Sequence, residues 1–201
     1  MVLTILDFIG VFVFSMSGLL AASNKKMDVF GGLIIAFVTA LGGGTLRDIL
    51  LDQPIAWIVN PWYIYLVIFG SIAALAFNKV LFKIRKALFL FDSIGIGLFM
   101  IIGLQKGLSL ELPLITALIF GVITATFGGV IRDTLSNEVP LIFRKEIYAT
   151  ACIAGGLLFI GLKLLEVPET INLISSVVLV TTIRIVVVLK KWRLPLLNEE
   201  L

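Results

Sequence analysis

Long apolar segments alternate with short polar connections along the whole chain. A bilayer core about 30 Å thick needs roughly 20 apolar residues in a helix that rises about 1.5 Å per residue. The connections carry helix-interrupting residues, such as Asn60-Pro61 and Pro140. The pattern therefore predicts an all-α integral membrane protein, a single transmembrane domain over residues 1–201. Its seven predicted spans are Leu3–Ala22, Val29–Leu51, Trp62–Phe82, Ala87–Lys106, Leu112–Leu135, Ile147–Leu165 and Ile171–Leu189.

Composition agrees with this class. With 60% hydrophobic and 14% charged residues, the chain has too little polar surface to cover a soluble globule. The absence of histidine removes the usual imidazole base and zinc ligand, and the single cysteine, Cys152, excludes an intrachain disulfide. We expect no enzyme activity, no cofactor, no bound metal and no nucleic-acid partner. Membrane lipids are the expected surroundings.

The sequence contains a repeat with an offset of 85 residues. The stretch Leu41-Gly42-Gly43-Gly44-Thr45-Leu46-Arg47-Asp48 returns as Thr126-Phe127-Gly128-Gly129-Val130-Ile131-Arg132-Asp133. This self-similarity predicts a duplicated unit, with repeat one at about 3–84, repeat two at about 87–168, and span 7 at about 171–189 outside both. The same offset matches Asp7 with Asp92, Gly10 with Gly95, Phe14 with Phe99, Thr39 with Thr124 and Tyr63 with Tyr148.

Each repeat contains three spans, an odd number, so the second copy enters the membrane from the opposite side. The prediction is a pair of inverted repeats related by a two-fold axis in the membrane plane. Basic residues collect after spans 1, 3 and 5 and in the C-terminal tail, which places the N-terminus outside and the C-terminus in the cytoplasm. These residues are Lys25, Lys26, Lys79, Lys83, Arg85, Lys86, Arg144, Lys145, Lys190, Lys191 and Arg193.

Glycines lie near the centres of spans 2 and 5. A glycine inside a helix costs about 1 kcal/mol relative to alanine, so a run of them requires a compensating role. We expect both helices to be kinked or broken there, exposing carbonyl oxygens and half-helix ends that favour a cation near the midplane. The alternative is close packing between helices. The glycines concerned are Gly42, Gly43, Gly44, Gly128 and Gly129.

Charged residues follow both glycine groups. An Arg or Asp at a helix centre costs about 2.5–3.5 kcal/mol in insertion experiments. Because helical neighbours point about 100° apart, we expect Arg47 to pair with a side chain other than Asp48. The prediction is one polar cluster at the end of each broken helix; the alternative is a structural ion pair that locks a kink. The candidates are Asp7, Arg47, Asp48, Asp92, Arg132 and Asp133.

Other polar residues are weaker candidates. Hydroxyls could line a pathway, although membrane Ser and Thr commonly bond to carbonyls of their own helix. Arg184 lies near the basic end of span 7, where snorkelling to the interface accounts for it. Lys83, Arg85 and Arg184 are candidates for a response to lipid or voltage. The candidate pore-lining hydroxyls are Ser15, Ser17, Thr39, Thr124 and Thr126.

The glycine and Arg-Asp motifs, with Asn137-Glu138-Val139-Pro140 and Glu146-Ile147-Tyr148-Ala149, resemble the prokaryotic branch of the trimeric intracellular cation channel family. Those sequences are also filed as a glycine-transporter domain family. The resemblance implies a homotrimer in a prokaryotic inner membrane, with one pore per subunit for monovalent cations, potassium above all. It implies that the glycine groups kink helices 2 and 5. Phe127 stands where a third glycine would complete the pattern and is a candidate hydrophobic constriction.

Two functions remain open at this point. Inverted repeats with broken helices suit a passive cation channel and equally a secondary transporter of a small zwitterion such as glycine. A channel needs a continuous wet path, whereas a transporter needs a site that never opens to both sides at once. A membrane-embedded enzyme or scaffold has little support, because no nucleophile and base pair is evident.

Overall fold

A computed structural model describes residues 2–77, 87–143, 147–190 and 192. Within these ranges, the regular structure is helical and includes seven helices of 15 residues or more, which follow the predicted spans in order. The end predicted for span 3 at Phe82 lies outside the described residues. The long helices are α1 (Val2–Asn24), α2 (Val29–Leu50), α3 (Trp62–Ala76), α4 (Ala87–Ser109), α5 (Leu114–Leu135), α6 (Ala149–Leu164) and α7 (Glu169–Lys190).

Five of these helices, α1, α2, α4, α5 and α7, are long and apolar enough to cross a membrane. The helices α3 and α6 are equally apolar but have 15 and 16 described residues. They occupy the third position of each repeat. A one-turn helix, Ala56–Val59, follows α2, and a 3-10 turn, Leu141–Phe143, follows α5. The two repeats therefore share their short elements as well as their long ones.

The helices α1, α2, α4, α5 and α6 end in the same way. Each is followed by a non-glycine residue with φ between 50° and 58°. The next backbone N–H then bonds a carbonyl five positions back, as in a Schellman motif, and the chain reverses sharply. The left-handed residues are Lys26, Asp52, Glu111, Asn137 and Glu166.

The first helices of the two repeats, α1 and α4, pack through reciprocal contacts. A Cβ added to Gly10 would lie 3.2 Å from the Phe99 ring, and one added to Gly95 would overlap the Phe14 ring. The two phenyl rings meet edge-to-face, with centroids 5.0 Å apart. Residue numbers rise along one helix as they fall along the other, so α1 and α4 run antiparallel here.

The second helices, α2 and α5, cross in the same reciprocal way. A Cβ on Gly43 would overlap the carbonyl oxygen of Thr124, and a Cβ on Gly128 would overlap the carbonyl oxygen of Thr39. Only glycine allows the two backbones to approach this closely. Gly43 of α2 contacts Thr124, and its equivalent in α5 contacts the equivalent of Thr124. Two elements related by a local two-fold axis make such reciprocal contacts.

A break in either helix is not found in the described residues, and a kink at the glycines stays a prediction. Both α2 and α5 are continuous helices through their glycine groups, and no described glycine has a positive φ. The cost of the glycines is offset by close packing at the crossing, which is the alternative stated above. Backbone carbonyls there remain in helical hydrogen bonds and are not freed for a cation.

The last helix, α7, stands outside the repeat and packs on α4 and α6. Gly97 of α4 lies against Thr181, and Gly155 of α6 lies against Val180. The helix therefore covers the second repeat, and it brings a buried arginine, Arg184, into that half of the molecule.

Candidate functional site: two charged clusters

The first cluster consists of Asp7, Arg47, Asp48 and Tyr63, at the end of α2. Arg47 Nε and Nη2 each lie 2.8 Å from Asp48 Oδ1. Asp48 Oδ2 accepts a hydrogen bond from the backbone N–H of Ala56, at 3.4 Å, and so ties the loop to the helix end. The Tyr63 hydroxyl donates to Asp7 Oδ2. The cluster thus joins the ends of α1, α2 and α3.

The second cluster consists of Asp92, Arg132, Asp133, Tyr148 and Arg184, at the end of α5. Arg132 Nε donates to Asp133 Oδ1 at 2.8 Å, and its Nη1 donates to Asp92 Oδ1 at 2.8 Å. Asp133 Oδ2 accepts from the backbone N–H of Leu141 at 3.0 Å, matching the Asp48 contact of the first cluster. Arg132 Nη1 also donates to Ser17 Oγ of α1, at 3.1 Å.

Arg184 completes the second cluster from α7. Its Nη1 donates to the Ile147 carbonyl at 2.9 Å, and its guanidinium carbon lies 4.5 Å from the centre of the Tyr148 ring. Its Nη2 lies 3.9 Å from Asp92 Oδ2. The side chain is 0% exposed, so the expectation that Arg184 snorkels to the interface is wrong. Packing against α4 and α6 holds it inside the protein.

The expectation that Arg47 pairs with a side chain other than Asp48 is also wrong. Arg47 binds Asp48, and Arg132 binds Asp133, through side chains that fold toward each other. Both pairs lie in the last turn of their helix, where flexible side chains bridge the angle between neighbouring positions. A partner on another helix is found for Arg132, in Asp92.

A cavity of about 320 Å³ opens beside the first cluster. A narrower one, about 20 Å³, continues past Gly44 and Trp57 to Phe99, and has room for about one water molecule. In the first cluster Asp7 is half-buried, while Arg47 and Asp48 are 6% and 2% exposed. In the second cluster Arg132, Asp92 and Arg184 are 0–1% exposed, and Asp133 is 9% exposed. The first cluster therefore meets the cavity mainly through Asp7, and the centre of the second cluster is fully buried.

Between the clusters, the candidate hydroxyls mostly bond to their own helices. Ser17 is different, because its oxygen accepts from Arg132. The other four hydroxyls donate to carbonyls three or four positions earlier. Only the lone pairs of their oxygens are then available to contact a permeating ion. Those bonds are Ser15 to Phe12, Thr39 to Ile35, Thr124 to Phe120 and Thr126 to Val122, at 2.6–2.8 Å.

The edge-to-face pair Phe14 and Phe99 fills the centre of the molecule, 1% and 5% exposed. Phe127, the predicted constriction, is only half-buried. The 85-residue offset aligns Phe14 with Phe99. This alignment is the feature of the sequence from which a central aromatic pair could have been predicted. A constriction at Phe127 stays a prediction.

Lys83 and Arg85 lie outside the described residues, as do Lys79, Lys86, Arg144, Lys145, Lys191 and Arg193. In the described ranges, no group of three or more His, Cys, Asp or Glu side chains is placed to hold a metal ion.

The fold and the paired clusters define a helical membrane protein built from a duplicated unit. Residues 4–79 and 89–163, one stretch in each repeat, match the family described as Glycine transporter. The inner membrane protein YadS of Escherichia coli is 37% identical over 195 residues, covering 95% of this chain and 93% of YadS. These matches extend over nearly the whole chain.

Solved structures give the same result. The trimeric intracellular cation (TRIC) channel orthologue from Rhodobacter sphaeroides matches with a TM-score of 0.89 and 32% identity, over 94% of this chain and 98% of that one. A second TRIC cation channel matches with a TM-score of 0.85 and 38% identity, over 100% of both chains. The chain belongs to the prokaryotic trimeric intracellular cation channel family. The resemblance inferred from the sequence is confirmed, and family membership indicates that the protein is not an enzyme.

Proposed function

We propose that the protein is a passive channel for monovalent cations, with potassium preferred and one pore in each subunit. The path runs from the cavity at the first cluster, past the crossing of α2 and α5, to the second cluster. Similarity to solved TRIC cation channels over nearly the full length supports this proposal. So does the position of the two charged clusters, one at the end of each glycine-containing helix.

The finer architecture is part of the same proposal. Seven spans form two inverted repeats plus α7, in a homotrimer with the N-terminus outside and the C-terminus in the cytoplasm. The antiparallel, reciprocal contacts of α1 with α4 and of α2 with α5 support the inversion. With this orientation, the first cluster faces the outside of a prokaryotic inner membrane and the second faces the cytoplasm.

The charges at the two clusters are balanced. Around the cavity at the first cluster, Asp7 and Asp48 are matched by Arg47 and Lys106. In the second cluster, Asp92 and Asp133 balance Arg132 and Arg184. The proposal of cation selectivity therefore rests on the similarity to solved TRIC cation channels.

Conduction requires a change at the centre of the molecule. The glycine crossing and the Phe14–Phe99 pair fill the space between the clusters. We infer that the described state is closed, and that opening separates α2 and α5 and bends them at Gly42–Gly44 and at Gly128–Gly129. Thr39 and Thr124, whose carbonyls face those glycines, would then border the path.

Potassium flux from liposomes loaded with the purified protein tests the proposal. The expected result is flux that follows the potassium gradient, in the absence of any organic substrate, with chloride flux far smaller. Planar-bilayer recordings should then show single-channel steps whose reversal potential follows the potassium gradient. Absence of steps, together with saturable glycine uptake driven by a proton or sodium gradient, would overturn it.

One observation favours a second candidate, a secondary transporter of a small zwitterion. The cavity at the first cluster presents both a guanidinium, on Arg47, and carboxylates, on Asp7 and Asp48. The matched family is also described as Glycine transporter. The uptake arm of the liposome experiment distinguishes the two functions, since a transporter saturates and requires its substrate.

A further inference from the structure

The tyrosine at the start of the third helix is bonded differently in the two repeats. In repeat one, the Tyr63 hydroxyl donates to Oδ2 of Asp7. In repeat two, the Tyr148 hydroxyl is buried and has no hydrogen-bond partner among the described residues. The same holds for Oδ2 of Asp92, the equivalent of Asp7. Repeat two therefore contains both groups of the tyrosine–aspartate bond but does not form it.

The Tyr148 hydroxyl rests instead on a glycine of α5. A Cβ built on Gly129 would lie 2.8 Å from this hydroxyl oxygen, closer than real Cβ atoms come. At Gly44, the equivalent glycine of α2, a Cβ would meet only Arg47 Nη2 within 4 Å among the described residues, at 3.8 Å. The two repeats thus show the same tyrosine in two positions. It is bonded to the aspartate in repeat one and lies against the glycine in repeat two.

The unbonded tyrosine and aspartate of repeat two are close neighbours. Oδ1 of Asp92 accepts from Arg132 at 2.8 Å, and Oδ2 lies 3.9 Å from Arg184 Nη2, beyond hydrogen-bond distance. The guanidinium carbon of Arg184 lies 4.5 Å from the centre of the Tyr148 ring. Because Oδ2 of Asp92 accepts no hydrogen bond in the described ranges, it can accept one from the tyrosine without losing another.

We propose that Tyr148 is a positioning residue for opening, whose hydroxyl leaves Gly129 and donates to Asp92 Oδ2 in the conducting state. This inference rests on the proposed function, in which α5 bends at Gly128–Gly129. A bend there moves the glycine on which the hydroxyl rests, and a buried hydroxyl gains free energy by bonding a carboxylate. The new bond joins the start of α6 to α4 and gives repeat two the contact that repeat one already makes.

Nuclear magnetic resonance in detergent tests this exchange without any measurement of flux. The label is ¹³C at tyrosine Cζ, the carbon that bears the hydroxyl, and the chain has three tyrosines, so single phenylalanine substitutions assign every signal. We expect one state for Tyr63 and two exchanging states for Tyr148, the minor one with a chemical shift close to that of Tyr63. Gly129→Ala places a methyl group on the hydroxyl and should favour that minor state. Gly44→Ala is the matched control and should leave the Tyr148 signal unchanged.

Removal of single hydroxyls separates this role from a structural one. Tyr148→Phe removes no hydrogen bond of the described residues, so the unfolding temperature should stay unchanged. Potassium flux should nevertheless fall at least about tenfold, the factor that a hydrogen bond to a charged group typically supplies. Tyr63→Phe breaks the bond to Asp7 and should lower the unfolding temperature. Tyr65→Phe, at an exposed position in α3, should leave both flux and unfolding temperature unchanged.

A single Tyr148 signal that Gly129→Ala does not move overturns the proposal, as does full flux through a folded Tyr148→Phe protein. Parallel loss of flux and thermal stability in Tyr148→Phe shows a structural role and also overturns it. Flux from the unaltered protein with one Tyr148 state refutes the exchange but leaves the channel standing. Two Tyr148 states in a protein that carries no potassium flux support the exchange and refute the channel.

Discussion

The two charged clusters are built from equivalent residues but differ in how far they are buried. Both use an Arg-Asp pair in the last turn of a helix, an aspartate from the first helix of the repeat, and a tyrosine from the start of its third helix. The first is open to a cavity, and the second is buried. The difference shows how one added helix, α7, makes a duplicated unit asymmetric.

Arg184 accounts for the different bonding of the tyrosine in each cluster. In the first cluster, the Tyr63 hydroxyl binds Asp7. In the second, the Tyr148 hydroxyl has no hydrogen-bond partner in the described ranges, because Arg132 binds Asp92 while Arg184 covers the tyrosine ring. Arg184 gives the second cluster a second guanidinium, which together with Arg132 balances the charge of Asp92 and Asp133 inside the protein.

The largest expected effect comes from removing each cluster's arginine. Arg132→Gln leaves Asp92 and Asp133 buried without their cation, which should cost about 3–5 kcal/mol and strongly reduce the yield of folded protein. Arg47→Gln should cost less, about 1–3 kcal/mol, because a cavity opens beside this cluster and Asp7 is only half-buried. Thermal unfolding in detergent measures both. Equal losses of unfolding free energy in the two variants would contradict the difference in burial between the clusters.

A smaller effect is expected at the helix crossing. Gly43→Ala and Gly128→Ala each place a Cβ on a backbone carbonyl of the other helix, and overpacking of this kind costs about 1–3 kcal/mol. Gly161→Ala is the matched control, because a Cβ there meets nothing within 4 Å. The unfolding temperature should fall for the first two variants and rise slightly for Gly161→Ala, because alanine is favoured over glycine in a helix by about 1 kcal/mol. Potassium flux should change for the first two variants only. Unchanged stability in both would show that α2 and α5 do not touch at these glycines.

The smallest effect concerns the left-handed residues that follow the helices. Glu111 has φ 57°, a conformation that glycine adopts without strain, so Glu111→Gly should stabilise the protein by up to about 1 kcal/mol. Asn137 has φ 55° but tolerates this region better, so Asn137→Gly should change stability little. Chemical denaturation of both variants tests the contrast. A larger gain at Asn137 would contradict it.

Local sequence pattern predicts much of this molecule. The order of the seven long helices follows from apolar segment length, and the match of Asp7 with Asp92 and of Arg47 with Arg132 follows from the repeat. The prediction of two charged clusters came from these positions, since intramembrane charges require partners. The resemblance drawn from the glycine and Arg-Asp motifs identified the family.

The errors concern contacts that only tertiary packing decides. A glycine group at a helix centre is compatible with a break or with a close crossing, and the partner backbone at Thr124 and Thr39 decides between them. The pairing of Arg47 with Asp48 depends on side-chain rotamers. The burial of Arg184 depends on where α7 packs, and α7 has no counterpart in the repeat to guide the inference.

The modification rate of Cys152 tests most directly whether Arg184 closes the second cluster. This single cysteine is 0% exposed and lies one helical turn after Tyr148 in α6. We predict that a small, charged thiol reagent leaves the unaltered protein unmodified and reacts at least tenfold faster with Arg184→Leu, in which water can enter beside Asp92. A folded Arg184→Leu protein whose thiol stays as protected as in the unaltered chain would contradict the account.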